Sequence, residues 1–199
     1  GVGEHHRLGY AVSSPQMVLS AIAQATKNIK LTSTTTVLNT VDPVRLFEDF
    51  ATLDLISNGR AEITAGRGAF VESFPLFGYD FHDYDALFEE HLHLLMEINK
   101  REKKTWNGKF RPALRDAEIA PRPYQEQLPI WIGVGGTLAS ATRAGRLGTG
   151  LTIAMIGGTH ERFLPLINAY RDAGISEGFT NRDLKISVSG HGYIANTMD

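Results

Sequence analysis

The sequence contains no cysteine. That excludes disulfides and thiolate metal sites, and it fits a cytoplasmic protein. No run of about 18 apolar residues occurs, so no transmembrane helix is expected, and no basic stretch leading into an apolar one marks a signal peptide. Charge of one sign is scarce: 20 Lys and Arg against 22 Asp and Glu give a net charge of −2, which offers neither nucleic acid nor an anionic membrane an electrostatic footprint. Fixed-period repeats and low-complexity tracts are missing too. With 42% hydrophobic and 21% charged residues over 199 positions, the chain has the composition of a globular domain with a sizeable core.

What is present is an alternation. Ser14-Pro15 is an N-cap signal, and Val18, Ala21, Ile22 and Ala25 share one face of a helix running to about Lys27. The β-branched run from Lys30 to Leu38 reads as a strand. Asp42-Pro43 opens a second helix that stops at Asn58-Gly59. Ala61 to Ala65 is a strand ending in Gly66-Arg67-Gly68, and a Phe-, Gly- and Pro-rich loop leads to a long helix from Asp83 to about Lys100. Residues 105–110 read as a hairpin turning at Asn107-Gly108, and Pro121-Arg122-Pro123 as extended. Strands at 129–134, 149–156 and 184–195 alternate with helices at 137–147 and 160–173; Pro165 should kink the latter or delay its start.

Strand and helix in turn imply a parallel sheet with helical crossovers, its chemistry on the rim where the strands end. A doubly wound sheet and a (β/α)8 barrel share this property. The count of five strands, with Gly1-Val2-Gly3-Glu4 as the tail of a sixth, favours an α/β (β/α)8 barrel in a single domain over 1–199. It is expected to be incomplete at both ends, since eight strands usually take about 250 residues.

Four stretches could carry chemistry. In Glu4-His5-His6, side chains on a strand alternate between faces, so the two histidines cannot share a metal unless the strand has already ended, and no HExxH motif is present. One of them can point into a pocket as base or hydrogen-bond donor; the plain alternative is a hydrogen-bonded histidine at the rim. Gly66-Arg67-Gly68 places an arginine where backbone can approach a ligand closely, the alternative being a surface salt bridge. Gly133-Val134-Gly135-Gly136-Thr137 runs from a strand into a helix N-terminus, which suits a phosphate. Leu138 stands where a GxGxxG motif has its third glycine, and no acidic residue follows about 20 positions on, so a mononucleotide phosphate fits better than a dinucleotide. Ser33 to Thr36 can line a pocket with hydroxyls or simply form strand.

In this order, GVGEHHR, the segment from Thr36 to Gly68, FPLFGYD, APRPYQEQLPIWIGVGG and SATRAGRLG resemble the bacterial-luciferase-like flavin monooxygenases over essentially the whole chain. The resemblance implies a luciferase-like barrel, here about strands two to seven, and a homodimer. It implies reduced FMN, delivered by a separate flavin reductase, with O2 and a small organic substrate. It places the active-site histidine at His5, with a weaker claim for His6. Flavin contacts fall on Arg67 and Gly68, and a cis peptide facing the flavin ring falls at Thr34-Thr35. The phosphate turn falls on Gly135, Gly136 and Thr137, with Ser140 one helical turn on. The family often carries an acidic residue where this chain has Gly136. Two alternatives stay open: a hydride-transferring oxidoreductase using the deazaflavin coenzyme F(420), and a non-catalytic flavoprotein or partner subunit. Only Arg143 and Arg146 lie near the phosphate turn, which favours FMN over a coenzyme with a polyanionic tail.

Overall fold

The computed structural model describes residues 1–190 together with Ala195 and Thr197. They fall into two compact units, one ending at Trp131 and the other beginning at Ile132. Among the described residues no helix is long and apolar enough to cross a membrane.

In the first unit Val2 bridges Ser33 in parallel, with the Val2 N–H on Thr32 O at 3.0 Å and the Thr34 N–H on Val2 O at 2.8 Å. The opening residues therefore run along the next strand region, as a strand end does. Helix α1 (Pro15–Ala25) buries Leu19 and Ala23. It stops two residues short of the expected Lys27 because Thr26 is extended and its hydroxyl donates to Ile22 O at 2.7 Å. The β-branched run gives two short strands where one was expected, β1 (Leu31–Thr32) and β2 (Thr36–Val37), and Leu38–Thr40 turn into a 3-10 helix. Both strands pair in parallel with β3 (Ala61–Gly66). Thr32 faces Glu62 and Thr36 faces Ala65, so a step of four residues on one strand meets a step of three on the other. That extra residue is what divides the expected strand.

Helix α2 (Pro43–Ser57) is capped as its sequence directs. The Asp42 carboxylate accepts the N–H groups of Val44 (2.9 Å) and Arg45 (3.3 Å), and Asn58 takes the left-handed conformation, φ 55°, at the other end. Its buried face carries Leu46, Phe47, Phe50 and Leu53. Asp54, also buried, reaches outside the helix: Oδ1 accepts the Ala61 N–H (3.0 Å) and Gln125 Nε2 (2.8 Å), and Oδ2 accepts the Gln125 N–H (2.9 Å). Arg60 spends all five guanidinium donors within 3.1 Å on Ser57 O, Thr26 Oγ1, Ile29 O, Ala23 O and Thr26 O, at the C-terminal ends of α1 and α2.

The loop after β3 contains a helical turn, α3 (Ser73–Leu76), and a 3-10 turn at Phe81–Asp83. Helix α4 (Tyr84–Lys100) follows with Leu87, His91, Leu94, Leu95 and Ile98 buried. The strands β4 (Lys103–Trp106) and β5 (Leu114–Glu118) are antiparallel, but no tight turn joins them at Asn107-Gly108. Glu90 of α4 takes the N–H groups of Lys109 (2.6 Å) and Phe110 (3.0 Å), and Pro112 has none to give, so residues 107–113 cannot continue the ladder. The Ala120-Pro121 bond is cis. Arg122 then closes the end of α4 by donating to Ile98 O and Asn99 O, both at 2.8 Å. The strand β6 (Ile130–Val134) begins at the end of this unit.

His91 bears on stability. Its Nδ1 lies 2.8 Å from Leu38 O, so Nδ1–H donates there. Burial lowers its pKa below the usual histidine value, opposed by the Leu38 hydrogen bond and by the Glu90 and Asp42 charges. The unfolded chain protonates this ring below about pH 6.5 and the folded chain does not, so folding stability falls as pH drops from about 6.5 toward the lower folded value. Urea melts between pH 7.5 and 5.5 should show this slope, and His91→Gln should flatten it. An unchanged slope in the variant would remove His91 from the account.

In the second unit, α5 (Leu138–Arg146), β7 (Gly150–Ala154), α6 (Leu164–Ser176) and β8 (Ile186–Ser189) alternate, with β7 and β8 parallel and Leu151 facing Ile186. Pro165 delays its helix and does not kink it: His160–Phe163 form a 3-10 turn, and the proline sits in the first turn of α6, where its missing N–H costs nothing. Residues 191–194 of the expected last strand lie outside the described residues. Helices α5 and α6 meet backbone to backbone, since a Cβ on Gly145 would strike Tyr170 O. The Tyr170 hydroxyl reaches Thr149 O at 2.7 Å, and burial pushes it up to about 12.

Candidate functional site

The strand pairing ends at Val2, so Glu4-His5-His6 lie beyond it, and the two histidines meet different surroundings. The His5 ring lies 4.1 Å from Tyr10 and 5.6 Å from Phe70, centroid to centroid, and those two rings are 5.7 Å apart. Burial lowers the His5 pKa, with Glu4 opposing and His6 assisting. At neutral pH it is therefore an uncharged imidazole among aromatic rings.

His6 is held by a carboxylate. Its Nε2 is 2.7 Å from Glu4 Oε1, and Glu4 Oε2 accepts the Val37 N–H at 3.0 Å. The Phe77 ring stands edge-on at 4.9 Å. Glu4, His5, His6, Phe70, Glu72 and Ser73 line a cavity of about 10 Å³, enough for roughly one water molecule. Two atoms in its wall, Glu72 Oε2 and Ser73 Oγ, are buried without a protein partner.

The floor of this region is tightly packed. The Thr34-Thr35 peptide bond is cis. A Cβ on Gly66 would collide with the Thr35 side chain, and Gly68 has φ +80° with Val37 against it, so both positions require glycine. Arg67 pairs with Asp85 (Nη1 to Oδ1, 2.6 Å) and lies 5.0 Å over the Tyr84 ring. Asp85 is 73% exposed, which makes this a surface pair worth about 0–1 kcal/mol. The salt bridge that the sequence left as the alternative is thus formed.

In the second unit Gly135 and Gly136 open onto space, since a Cβ on either would meet nothing within 4 Å. Thr137 is the N-cap of α5, but its hydroxyl donates to Ser140 Oγ at 2.8 Å and does not cap the helix. An open glycine turn before a helix N-terminus fits a phosphate, whose oxygens take up the first-turn N–H groups.

Sequence reasoning singled out His5, Thr34, Thr35, Arg67 and Gly68, which the first unit contains, and Gly135, Gly136, Thr137 and Ser140, which the second contains. It passed over Glu4, Tyr10 and Phe70. Glu4 lies two residues before His6 in the stretch singled out, and their side chains meet.

A family model described as luciferase-like monooxygenase matches residues 1–199. The F420-dependent glucose-6-phosphate dehydrogenase of Amycolatopsis mediterranei is 29% identical over 136 residues, 66% of this chain and 40% of that protein. The oxygenase component of the flavin-dependent trigonelline monooxygenase of Acinetobacter baylyi is 28% identical over 134 residues, 65% of this chain and 37% of that protein. Among solved structures, the monooxygenase RslO1 of Streptomyces bottropensis superposes with a TM-score of 0.85 at 26% identity, covering 94% of this chain and 57% of that one. The chain spans about half the length, or less, of the curated relatives it matches.

Proposed function

The chain belongs to the luciferase-like monooxygenase family, an enzyme family with the α/β barrel fold, and on that premise we propose that it is a flavin-dependent monooxygenase using reduced FMN and O2 on a small organic substrate. The observation that carries this reading is the open turn at Gly135 and Gly136 ahead of the N-terminus of α5. Its N–H groups and the Thr137 and Ser140 hydroxyls would hold the FMN phosphate. Arg67 would bind the cofactor, with Gly68 allowing close approach and the Thr34-Thr35 backbone facing the flavin ring. Bound reduced FMN supplies the electrons that activate O2. His5, kept neutral by burial, would hydrogen-bond the reacting groups, and the Tyr10 and Phe70 rings would keep water from them.

The single-domain reading rests on the unbroken family match over 1–199. A separate flavin reductase and a homodimer complete the proposal. Exposed Met17, Leu55 and Ile56 on α1 and α2 support the dimer, and analytical ultracentrifugation tests it. The second reading, a deazaflavin-dependent hydride transfer, draws on the F420-dependent relative. Against it stands the modest positive charge that Arg143 and Arg146 give α5.

Titration with reduced FMN and with the deazaflavin, side by side, tests the choice. Reduced FMN should bind more tightly. Gly135→Leu should weaken it by at least tenfold, because the side chain fills the open turn, while the melting temperature stays put. A preference for the deazaflavin overturns the FMN reading, and unchanged FMN affinity in Gly135→Leu overturns the phosphate site. Binding of FMN without O2 consumption on any substrate would favour a non-catalytic flavoprotein.

A further inference from the structure

The cavity beside His5 and His6 has room for about one water molecule, so a small organic substrate does not fit it as it stands. We propose that residues 69–72 are a gate over this cavity and that Arg7 latches the gate shut. The proposal takes from the functional reading only that a substrate enters here. Ala69, Phe70, Glu72 and Ser73 supply one wall of the cavity. Among the described residues, no backbone N–H from Ala69 to Glu72 donates to another backbone group. At the start of the stretch Gly68 has φ +80°, the conformational freedom that suits a hinge. Beyond its end Phe74 is fully buried, with its ring 5.3 Å from Phe81 and 5.7 Å from Tyr84, and motion stops there. A stretch without ladder bonds between two fixed ends belongs to the part of a fold that opens most readily.

Side chains from the opposite segment hold the gate down. The Arg7 guanidinium lies 4.7 Å over the Phe70 ring, and its Nη1 is 3.6 Å from Glu72 Oε1. Arg7 therefore grips the stretch on both sides of the exposed Val71. Tyr10 adds a ring contact with Phe70 at 5.7 Å. Among the described residues no backbone hydrogen bond joins 5–12 to 69–73, so the two segments can part without melting secondary structure. The Arg7 and Glu72 side chains are 48% and 41% exposed, and contacts of this kind bias a gate without locking it. Closure also carries a cost. Glu72 Oε2 and Ser73 Oγ are buried without hydrogen-bond partners, and opening returns both to water.

The sequence has no cysteine, so a single introduced thiol can report the opening. Ser73 is 4% exposed, and Ser73→Cys exchanges one atom. Its alkylation by iodoacetamide, an uncharged probe, needs neither flavin nor substrate, so the result is separate from the fate of the flavin reading. Adding Arg7→Ala should raise the labelling rate by about threefold to tenfold. Arg7→Lys, which keeps the charge, should restore most of the protection. Raising the salt to about 0.5 M should speed labelling while Arg7 is present and leave Arg7→Ala unaffected. Asp54→Ala removes a buried carboxylate that joins α2 to β3, outside the gate, and lowers global stability. It should leave the labelling rate as it is. An unchanged rate in Arg7→Ala overturns the latch. Faster labelling in Asp54→Ala means that the reagent enters by global unfolding, and that overturns the gate.

Discussion

Asp54→Ala is expected to cost about 3 kcal/mol of folding stability, because a buried donor left unpaired costs about 1–3 kcal/mol and this side chain satisfies three. The carboxylate is fully buried and accepts the Ala61 N–H, the Gln125 N–H and Gln125 Nε2. It thereby joins the last turn of α2, the first residue of β3 and the segment before β6. Alanine removes the acceptor of the Ala61 N–H in a fully buried residue. Urea denaturation measures the loss, and thermal melting should drop by about 10 °C for a chain of this length. Asp54→Asn retains one acceptor oxygen and should lose about half as much. A loss under about 1 kcal/mol in the alanine variant would mean that water replaces the carboxylate and that the three-way junction holds nothing together.

Gly145→Ala is expected to destabilise the second unit by about 3 kcal/mol, at the upper end of what inserting a methyl group into packed structure costs. The added Cβ would run into Tyr170 O and come within 3.0 Å of the Gly174 N. Both are backbone atoms of α6, so no rotamer change relieves the overlap and the helices must move apart. Gly135→Ala is the matched control. It adds the same methyl where nothing lies within 4 Å and should shift stability by no more than about 0.5 kcal/mol. Parallel thermal melts of the two variants suffice. Equal shifts would mean that the helix contact yields to a methyl group at no cost.

Much of the fold was legible because its signals are local. Asp42-Pro43 and Asn58-Gly59 bound α2 through atoms within four residues of themselves. The open glycines ahead of Thr137 were legible for the same reason. What escaped depends on distant partners. Nothing in residues 105–110 says that Glu90, some twenty positions earlier, takes the backbone donors a hairpin turn would need. Nothing in Lys30 to Leu38 reveals that the chain carries one more residue than β3 opposite it. For Glu4, Val37, 33 residues on, takes one carboxylate oxygen and leaves the other on His6. The Arg67–Asp85 pair is likewise remote in sequence, so the alternatives of phosphate contact and salt bridge could be stated but not ranked from Gly66-Arg67-Gly68.

Arg60 has a consequence for conditions as well as for architecture. Four of its five partners are main-chain carbonyls and the fifth is a threonine hydroxyl. Neither partner type ionises across the pH range in which proteins fold, and a guanidinium has no proton to give up there. No mobile counter-charge is involved either, so dissolved salt has little to compete with in this buried cluster. The fastening of α1 to the end of α2 is therefore indifferent to both acid and ionic strength. Changes in medium that disturb the titrating rings at His5 and His91 leave the ground they stand on in place.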